Sequence, residues 1–258
     1  MSENQNEHLE HHMTLTEHLR ELRKRLINSI WSLLVFTGLA YNYSNEVFNF
    51  FRKPIEKYLQ GGGLIYTNPL DKFIAHFKLS IVAGVILSCP FWLYQLWLFV
   101  APGLYKKERR YVMGFIALGT SLFVSGFFFS YYVALPMAFE FLFSFGGDQD
   151  KPMITIDHYL DFFTQFSLMF GVSFELPLIL AILAMLGVVS QKFLIEKGRY
   201  AVMILAVVAA IITPPDVMSM TIMLIPLIAL YYIGVFLVGF VQKKPVASES
   251  NFVPSEKE

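Results

Sequence analysis

Residues 162–189 read FFTQFSLMFGVSFELPLILAILAMLGVV, and this stretch decides the class of fold. A helix needs about 20 predominantly apolar residues to cross the hydrocarbon core of a bilayer, and this stretch is longer than that. Its single charged residue, Glu175, lies at the centre, thirteen residues from Phe162 and fourteen from Val189. The stretch therefore predicts a membrane-spanning helix with one buried carboxyl group.

The rest of the chain has the composition of a membrane protein. Its 258 residues are 55% hydrophobic and only 16% charged, whereas soluble domains carry about 25% charged residues. The 26 Phe, 13 Tyr and 3 Trp residues exceed what a water-exposed surface accommodates without large apolar patches. The formal net charge is zero, which gives no support to nucleic-acid binding.

Six apolar runs predict six transmembrane helices. The runs do not alternate in polarity, so they do not resemble the strands of a membrane β-barrel. The fifth run is short, and a turn with two prolines separates it from the sixth, so these two runs predict a hairpin across a locally thinned bilayer. The predicted spans are residues 26–43, 77–100, 111–135, 162–189, 200–212 and 217–241.

Basic residues indicate the orientation of the spans, because Lys and Arg are enriched in cytoplasmic loops. The side that holds both termini carries 14 basic residues and the other side carries 6, so both termini are predicted to be cytoplasmic. We divide the chain into a cytoplasmic amphipathic segment (1–25), a six-span membrane domain (26–241) and a disordered cytoplasmic tail (242–258). On the outer side, residues 45–76 predict a short interfacial helix and a loop.

The sequence lacks the motifs of common enzymes and metal sites. It has no His-Glu-x-x-His, no glycine-rich phosphate loop and no Gly-x-Ser-x-Gly elbow. His8, His11, His12 and His18 cluster near the N-terminus, but no Cys accompanies them, so we interpret them as solvated side chains. Cys89 is the only cysteine, which excludes an intrachain disulfide. We predict no catalytic residues, no cofactor and no metal.

Two carboxylates are predicted at cytoplasmic ends of helices. Glu21 lies in an amphipathic helix that leads into the first span, four residues before Arg25, a spacing that allows an ion pair. Glu108 lies in the basic sequence KKERR (106–110), close to the start of the third span. Both segments also fit a plain positive-inside anchor, and the residues alone leave that alternative open.

Glu175 is the least ordinary residue of the chain. An ionised group at the bilayer centre costs at least about 2.5 kcal/mol on insertion scales. Pro177 follows it and lacks an N–H, which frees a carbonyl one turn back, near Ser173. Three interpretations stay open: a protonated Glu bonded within its own bundle, a polar groove for a partner helix, and a proton or ion site.

Four motifs together resemble the TatC family, the multispanning receptor subunit of the twin-arginine protein translocase. They occur in the expected order and spacing, and the resemblance covers residues 15–241. No single motif would be enough, but the set is very specific. The motifs are ELRKRL (21–26), FVAPGLYKKERR (99–110), FGVSFELP (170–177) and TPPD (213–216).

The resemblance implies an all-α, glove-shaped bundle of six transmembrane helices in the bacterial cytoplasmic (inner) membrane, with both termini cytoplasmic. It also implies that part of 217–241 extends outside the membrane. The implied function is a non-enzymatic receptor and core of an export machine for folded proteins. It would bind signal peptides with paired arginines, recruit TatB-like and TatA-like single-span subunits, self-associate in a complex, and use the proton-motive force without a nucleotide.

The resemblance also singles out site residues in three groups. The signal-peptide-binding residues are Glu108, Glu21, Phe99, Arg23, Arg109 and Arg110; the intramembrane partner site is Glu175 with Pro177; the outer-loop residues are Pro54 and Asp216. Lys107 stands where some members of that family have His. Two other functions compete with this one: a proton-coupled small-solute transporter with Glu175 as its carrier site, and a structural scaffold.

Overall fold

The computed structural model describes residues 15–59, 63–100, 112–144, 153–213 and 217–241. These residues form helices and no named strand, which confirms the predicted all-α class; one isolated parallel bridge joins Ile65 to Thr155. In chain order the elements are α1 (Leu15–Asn42), α2 (Ser44–Glu56), α3 (Asp71–Leu87), α4 (Cys89–Val100), α5 (Val112–Phe129), a π-helical turn (Ser130–Ala134), α6 (Leu135–Ser144), α7 (Ile156–Phe174), α8 (Leu176–Met185), α9 (Gln191–Glu196), α10 (Gly198–Ile212) and α11 (Val217–Val241).

The helices occupy all six predicted spans. Three stretches of the described chain are long and apolar enough to cross a membrane, namely Val112–Ser144, Ile156–Met185 and Val217–Val241. The helices α3 and α4 pass the same test as a pair, and α10 is a shorter apolar helix. The helix α1 contains the predicted first span and begins earlier, while α11 has the predicted bounds.

The second predicted span is sharply bent, and the fourth is interrupted at one residue. The second span bends by 56° between α3 and α4. Pro90, in the first turn of α4, has no N–H to donate, and its ring clashes with the preceding turn of a straight helix. The fourth span is interrupted only at Glu175, where α7 ends and α8 begins with Pro177 in its first turn, and Ile156–Met185 still runs as one membrane-crossing stretch.

Two helix boundaries also differ from the prediction. The third span was predicted to end at residue 135, but the helix continues through the π-helical turn and α6 to Ser144, where Phe139 is buried in the core. The helix α3 begins at Asp71 rather than at residue 77. The Asp71 carboxylate accepts hydrogen bonds from the backbone N–H groups of Thr67 and Asn68, at 3.0 and 2.7 Å, and so fixes the turn before the helix.

The helix α1 runs antiparallel to α3 and α4. Tyr41 of α1 contacts Phe77 near the start of α3, whereas Phe36, about one turn earlier in α1, contacts Phe91 in α4. The C-terminal end of α4 therefore lies at the same end of the bundle as the N-terminal part of α1. This arrangement places three of the predicted site residues, Glu21, Arg23 and Phe99, at one end.

The core between α2, the π-helical turn and α7 is aromatic. The ring of Phe51 lies 5.1 Å from that of Phe163, and both side chains are buried. The hydroxyl groups of Tyr131 and Tyr159 donate hydrogen bonds to the backbone carbonyls of Phe50 and Phe51, respectively. Buried tyrosines of this kind combine a large apolar area with a satisfied polar group, and here they attach α2 to the membrane-spanning helices.

Candidate functional site

The structure describes six of the ten predicted site residues. The four that lie outside the described residues are Glu108, Arg109, Arg110 and Asp216, and their roles stay predictions. The other six lie in three separate places: Glu21, Arg23 and Phe99 at one end of the bundle, Glu175 and Pro177 in the fourth span, and Pro54 in α2.

Glu21 lies in the second turn of α1 and is held by its own helix. One carboxylate oxygen accepts a hydrogen bond from the Arg25 guanidinium at 3.0 Å, which is the pair that the spacing predicted. The side chain of Glu21 is only 19% exposed. Its other oxygen, Oε2, is buried and has no hydrogen-bond partner among the described residues. Since an unsatisfied buried acceptor costs about 1–3 kcal/mol, Glu21 is suited to accept one more donor.

Phe99 lies at the same end of the bundle as Glu21, because α4 is antiparallel to α1. Its ring is half-buried, and it is one residue before the end of α4. Arg23 is exposed on α1, next to the exposed Lys24. This end of the bundle thus offers a spare carboxylate oxygen, an aromatic ring and exposed positive charge.

Glu175 lies at the break between α7 and α8, and its backbone is fully bonded there. Its N–H donates to the Val172 carbonyl at 3.0 Å, and its carbonyl accepts from the Ile179 N–H at 2.9 Å. The residue is only 6% exposed. Its Oε1 is buried without a hydrogen-bond partner, and no ion pair to it exists within the described ranges.

Small and polar residues of neighbouring helices surround the Glu175 side chain. Gly119 of α5 faces it closely: a Cβ added there would lie 3.3 Å from Oε2 of Glu175. The Cys89 thiol is close enough to the carboxyl group to interact with it electrostatically, and Thr120 lies beside Cys89. Sequence analysis did not connect Gly119 or Thr120 with Glu175. The available signal was the presence of small and polar residues within an apolar run.

Two further polar groups on α4 were also missed. The side-chain oxygen of Gln95 and the indole N–H of Trp97 are buried without hydrogen-bond partners among the residues described. Trp97 packs against Leu178 and Ile182 of α8, so it adjoins the helix that begins after Glu175. Polar residues inside the second apolar run were the signal that could have identified them.

Pro177 positions Glu175 rather than presenting a polar group of its own. It is buried in the first turn of α8 and packs against α11. A Cβ added at Gly234 of α11 would lie 3.1 Å from the Pro177 Cα and 2.7 Å from the Leu180 side chain. The proline therefore ends α7 at the carboxyl group and lets α8 approach α11 closely.

Pro54 lies inside α2 and is buried. Because a proline has no N–H, it leaves the carbonyl four residues earlier without its helical donor. That carbonyl belongs to Phe50, and the Tyr131 hydroxyl donates a hydrogen bond to it at 2.7 Å. Pro54 therefore creates the acceptor through which α2 is attached to the π-helical turn.

These places offer hydrogen-bond acceptors for a donor or a cation. Within the described ranges, no group of three or more His, Cys, Asp or Glu side chains could hold a metal ion. Glu21 has one spare carboxylate oxygen near the end of the bundle, and Glu175 has another inside the fourth span. Both are suited to recognise a positively charged or hydrogen-bond-donating partner.

Comparison with known proteins gives concordant matches over most of the chain. The model of the family described as Sec-independent protein translocase protein (TatC) matches residues 17–226. The Sec-independent protein translocase protein TatC of Carboxydothermus hydrogenoformans is 38% identical over 92% of this chain and 97% of its own length. Its Helicobacter pylori counterpart is 38% identical over 92% of each chain. A crystal structure of the twin arginine translocase receptor TatC matches with a TM-score of 0.78 at 36% identity, covering 87% of this chain and 99% of the other.

Proposed function

The chain belongs to the TatC family of Sec-independent protein translocase proteins, and we propose that it is the signal receptor of a twin-arginine translocase. In this proposal it binds signal peptides with paired arginines and, with TatB-like and TatA-like single-span subunits, exports folded proteins through the bacterial cytoplasmic membrane, driven by the proton-motive force. Membership of this family confirms two predictions: the chain is a multi-pass membrane protein, and it is a translocase component rather than an enzyme.

The observation that carries the proposal is the spare, buried carboxylate oxygen of Glu21 at the same end of the bundle as Phe99. An Arg guanidinium is a planar fork that can bond a carboxylate through two parallel charge-assisted hydrogen bonds. Two adjacent arginines therefore suit two separately anchored carboxylates, and we assign these roles to Glu108 and Glu21. Arg23, Arg109 and Arg110 are assigned to the same binding region.

Shielding from water is necessary for this recognition. A fully exposed ion pair contributes only about 0.2–1 kcal/mol, which is too little for a receptor. The 19% exposure of the Glu21 side chain supports a partly shielded site. The half-buried ring of Phe99 is suited to pack against the hydrophobic stretch of a signal peptide.

Binding of Arg-Arg and Lys-Lys signal peptides to the protein in detergent tests this proposal. Glu108→Ala should weaken Arg-Arg binding, Glu21→Ala should weaken it less, and Glu108→Lys should abolish it through like-charge repulsion. Glu108→Ala should also narrow the preference for Arg-Arg over Lys-Lys, because a Lys ammonium is a compact, strongly hydrated charge. Glu56→Ala, which removes an exposed carboxylate from α2, is the control. An undiminished Arg-Arg preference in Glu108→Ala would exclude Glu108 as the residue that reads the arginines.

Glu175 is proposed to be the intramembrane contact for a partner subunit. Its unpartnered Oε1 would accept a hydrogen bond from a polar residue on the transmembrane helix of that subunit. This oxygen would have a hydrogen-bond partner only while the helix is bound. Pro177 would hold this carboxyl group at the helix break. The proposed roles of Pro54 and Asp216 lie on the outer side, where Pro54 attaches α2 to the π-helical turn.

The orientation of the chain is testable by cysteine labelling. Cys89 is fully buried, so the native chain should give little background. Single cysteines near Lys106 and Ser248 should react only with a reagent added from the cytoplasmic side, and a cysteine near Asp148 only from the outer side. Labelling of the positions near Asp148 and Ser248 from one side would contradict the proposed orientation.

A further inference from the structure

A cavity of about 360 Å³ lies between α2 and the π-helical turn, and Pro54 is the only residue of the receptor proposal that lines it. It combines aromatic walls with two ammonium groups. The lining residues that matter here are Phe50, Lys53, Pro54, Lys57, Tyr131 and Tyr132.

The aromatic wall of this cavity is fixed in place. The rings of Phe50 and Tyr131 are stacked, with centroids 4.6 Å apart and planes 6° from parallel. The Tyr131 hydroxyl also donates a hydrogen bond to the Phe50 carbonyl at 2.7 Å, the acceptor that Pro54 leaves open. A π-helical turn carries Tyr131 and Tyr132, and such turns inside α-helices are frequent at functional sites.

The two lysines place positive charge at this cavity, and no ion pair in the described part of the chain neutralises it. Lys53 and Lys57 are four residues apart on α2, a spacing at which like charges repel each other. Their neighbours Arg52 and Glu56 form an ion pair at 3.1 Å, but neither lysine is in an ion pair within the described part of the chain. The Lys57 ammonium lies 4.6 Å from the centre of the Tyr58 ring. A hydrogen bond to the Tyr58 side chain and, to a smaller extent, the charge of Glu140 raise the pKa of Lys57 above its ordinary value.

The cavity lies along the third span at the depth expected for the lipid headgroups. Tyr131 is nineteen residues after Val112, which is about 29 Å at 1.5 Å per residue. The hydrocarbon core is about 30 Å thick, and the basic sequence 106–110 immediately before Val112 marks the opposite membrane surface. Tyrosines concentrate at such interfaces, and Tyr132 is 65% exposed there.

We propose that this cavity binds the phosphate headgroup of an anionic phospholipid. Lys53 and Lys57 would contact the phosphate oxygens, and the ring of Tyr132 would border the glycerol region. The acyl chains would follow the outer surface of α5, where Phe128 is exposed and stacks on Tyr132. The lipid site goes beyond the receptor function, because it uses neither Glu21 nor Glu175.

Lipid binding to the full chain in detergent tests this proposal, with native mass spectrometry as the readout. Phosphatidylglycerol should bind to the unaltered protein more tightly than phosphatidylcholine of the same chain length. Lys53→Gln/Lys57→Gln should weaken phosphatidylglycerol binding by about tenfold to 30-fold, since one basic residue near an anionic surface contributes about fivefold. Lys53→Arg/Lys57→Arg should retain binding. The matched control is Lys72→Gln/Lys192→Gln, which removes the same charge from two exposed lysines elsewhere.

Three outcomes would overturn the assignment. The first is equal phosphatidylglycerol affinity in the Lys53→Gln/Lys57→Gln protein and the control. The second is equal affinity of the unaltered protein for the two lipids. The third is inorganic phosphate displacing phosphatidylglycerol at equal concentration, which would make the site one for free phosphate. The receptor proposal is judged separately, by signal-peptide affinity.

Discussion

Glu21 and Glu175 are the same residue type in two contrasting environments. One carboxylate oxygen of Glu21, near one end of the bundle, is bonded to Arg25 of the same helix. The other oxygen has no hydrogen-bond partner among the described residues. Glu175, inside the fourth span, has no cation paired with it in the described part of the chain, and its neighbours include Gly119 and Cys89. A ligand of Glu21 would therefore compete with Arg25 for the carboxylate. A partner helix that approaches Glu175 would meet no competing cation.

This difference separates two kinds of recognition. Near the membrane surface, water screens charges, so binding depends on an accumulation of modest interactions and on shielding. In the bilayer interior, one hydrogen bond to an otherwise unsatisfied carboxyl group can specify the position of a helix. We expect substitutions at the second site to act mainly on assembly and substitutions at the first to act on affinity for the signal.

The largest effect is expected from Glu175→Leu, which removes the acceptor and should abolish both co-purification of the partner subunit and export of folded cargo. Glu175→Gln keeps an acceptor oxygen and with it the interhelical hydrogen bond, which contributes about 0.6–2 kcal/mol. It should therefore retain much of the co-purification and of the export. Glu140→Leu, at an exposed glutamate of α6, should leave assembly unchanged. If Glu175→Gln fails to export while the partner still co-purifies, a titrating proton site becomes the better explanation.

A smaller effect is expected from Gly119→Ala. The new methyl group would lie 3.3 Å from Oε2 of Glu175 and 3.0 Å from the end of the Leu178 side chain, which is flexible enough to yield. The protein should fold, but access to the carboxyl group should be reduced, and partner affinity should fall by about threefold, corresponding to ~0.6 kcal/mol. Gly114→Ala is the matched control on α5, because nothing lies within 4 Å of a Cβ there. Equal partner affinity in both variants would show that the partner does not approach Glu175 past Gly119.

The smallest effect is expected from Arg25→Gln, which releases Glu21 from its intrahelical ion pair. Arg-Arg signal peptides should bind about twofold more tightly, because a pair at this spacing contributes about 0.3–0.5 kcal/mol. Arg52→Gln breaks an ion pair of the same spacing in α2 and should not change signal affinity. Weaker binding in Arg25→Gln would instead mean that Arg25 holds Glu21 in the orientation that the signal requires.

The sequence was sufficient to predict features that depend on local pattern. Apolar runs placed the six spans because the bilayer sets a minimum length of apolar helix, and the four-residue spacing predicted the pair between Glu21 and Arg25. The predicted helix bounds were wrong where side-chain packing extends a helix beyond its most apolar part. Phe139 does this beyond the predicted end of the third span, where its buried side chain packs in the core.

Features that depend on distant residues could not be predicted in the same way. The prolines at 90 and 177 were visible, but whether a proline kinks a helix or ends it depends on the packing around it. The contact of Glu175 with Gly119 joins helices that are adjacent only in the folded chain. The hydrogen bond from Tyr131 to the Phe50 carbonyl crosses 81 residues of sequence, and nothing in either segment alone indicates it.

The parallel bridge between Ile65 and Thr155 restricts where a reporter can be built into this protein. The segment between α2 and α3 resembles a convenient place for an epitope tag, since it lies outside the helices. However, the Ile65 N–H donates to the Ile154 carbonyl at 2.9 Å, and the Ile65 carbonyl accepts from the Ile156 N–H at 2.8 Å. An insertion beside Ile65 would therefore disturb the start of α7, about ninety residues away in sequence.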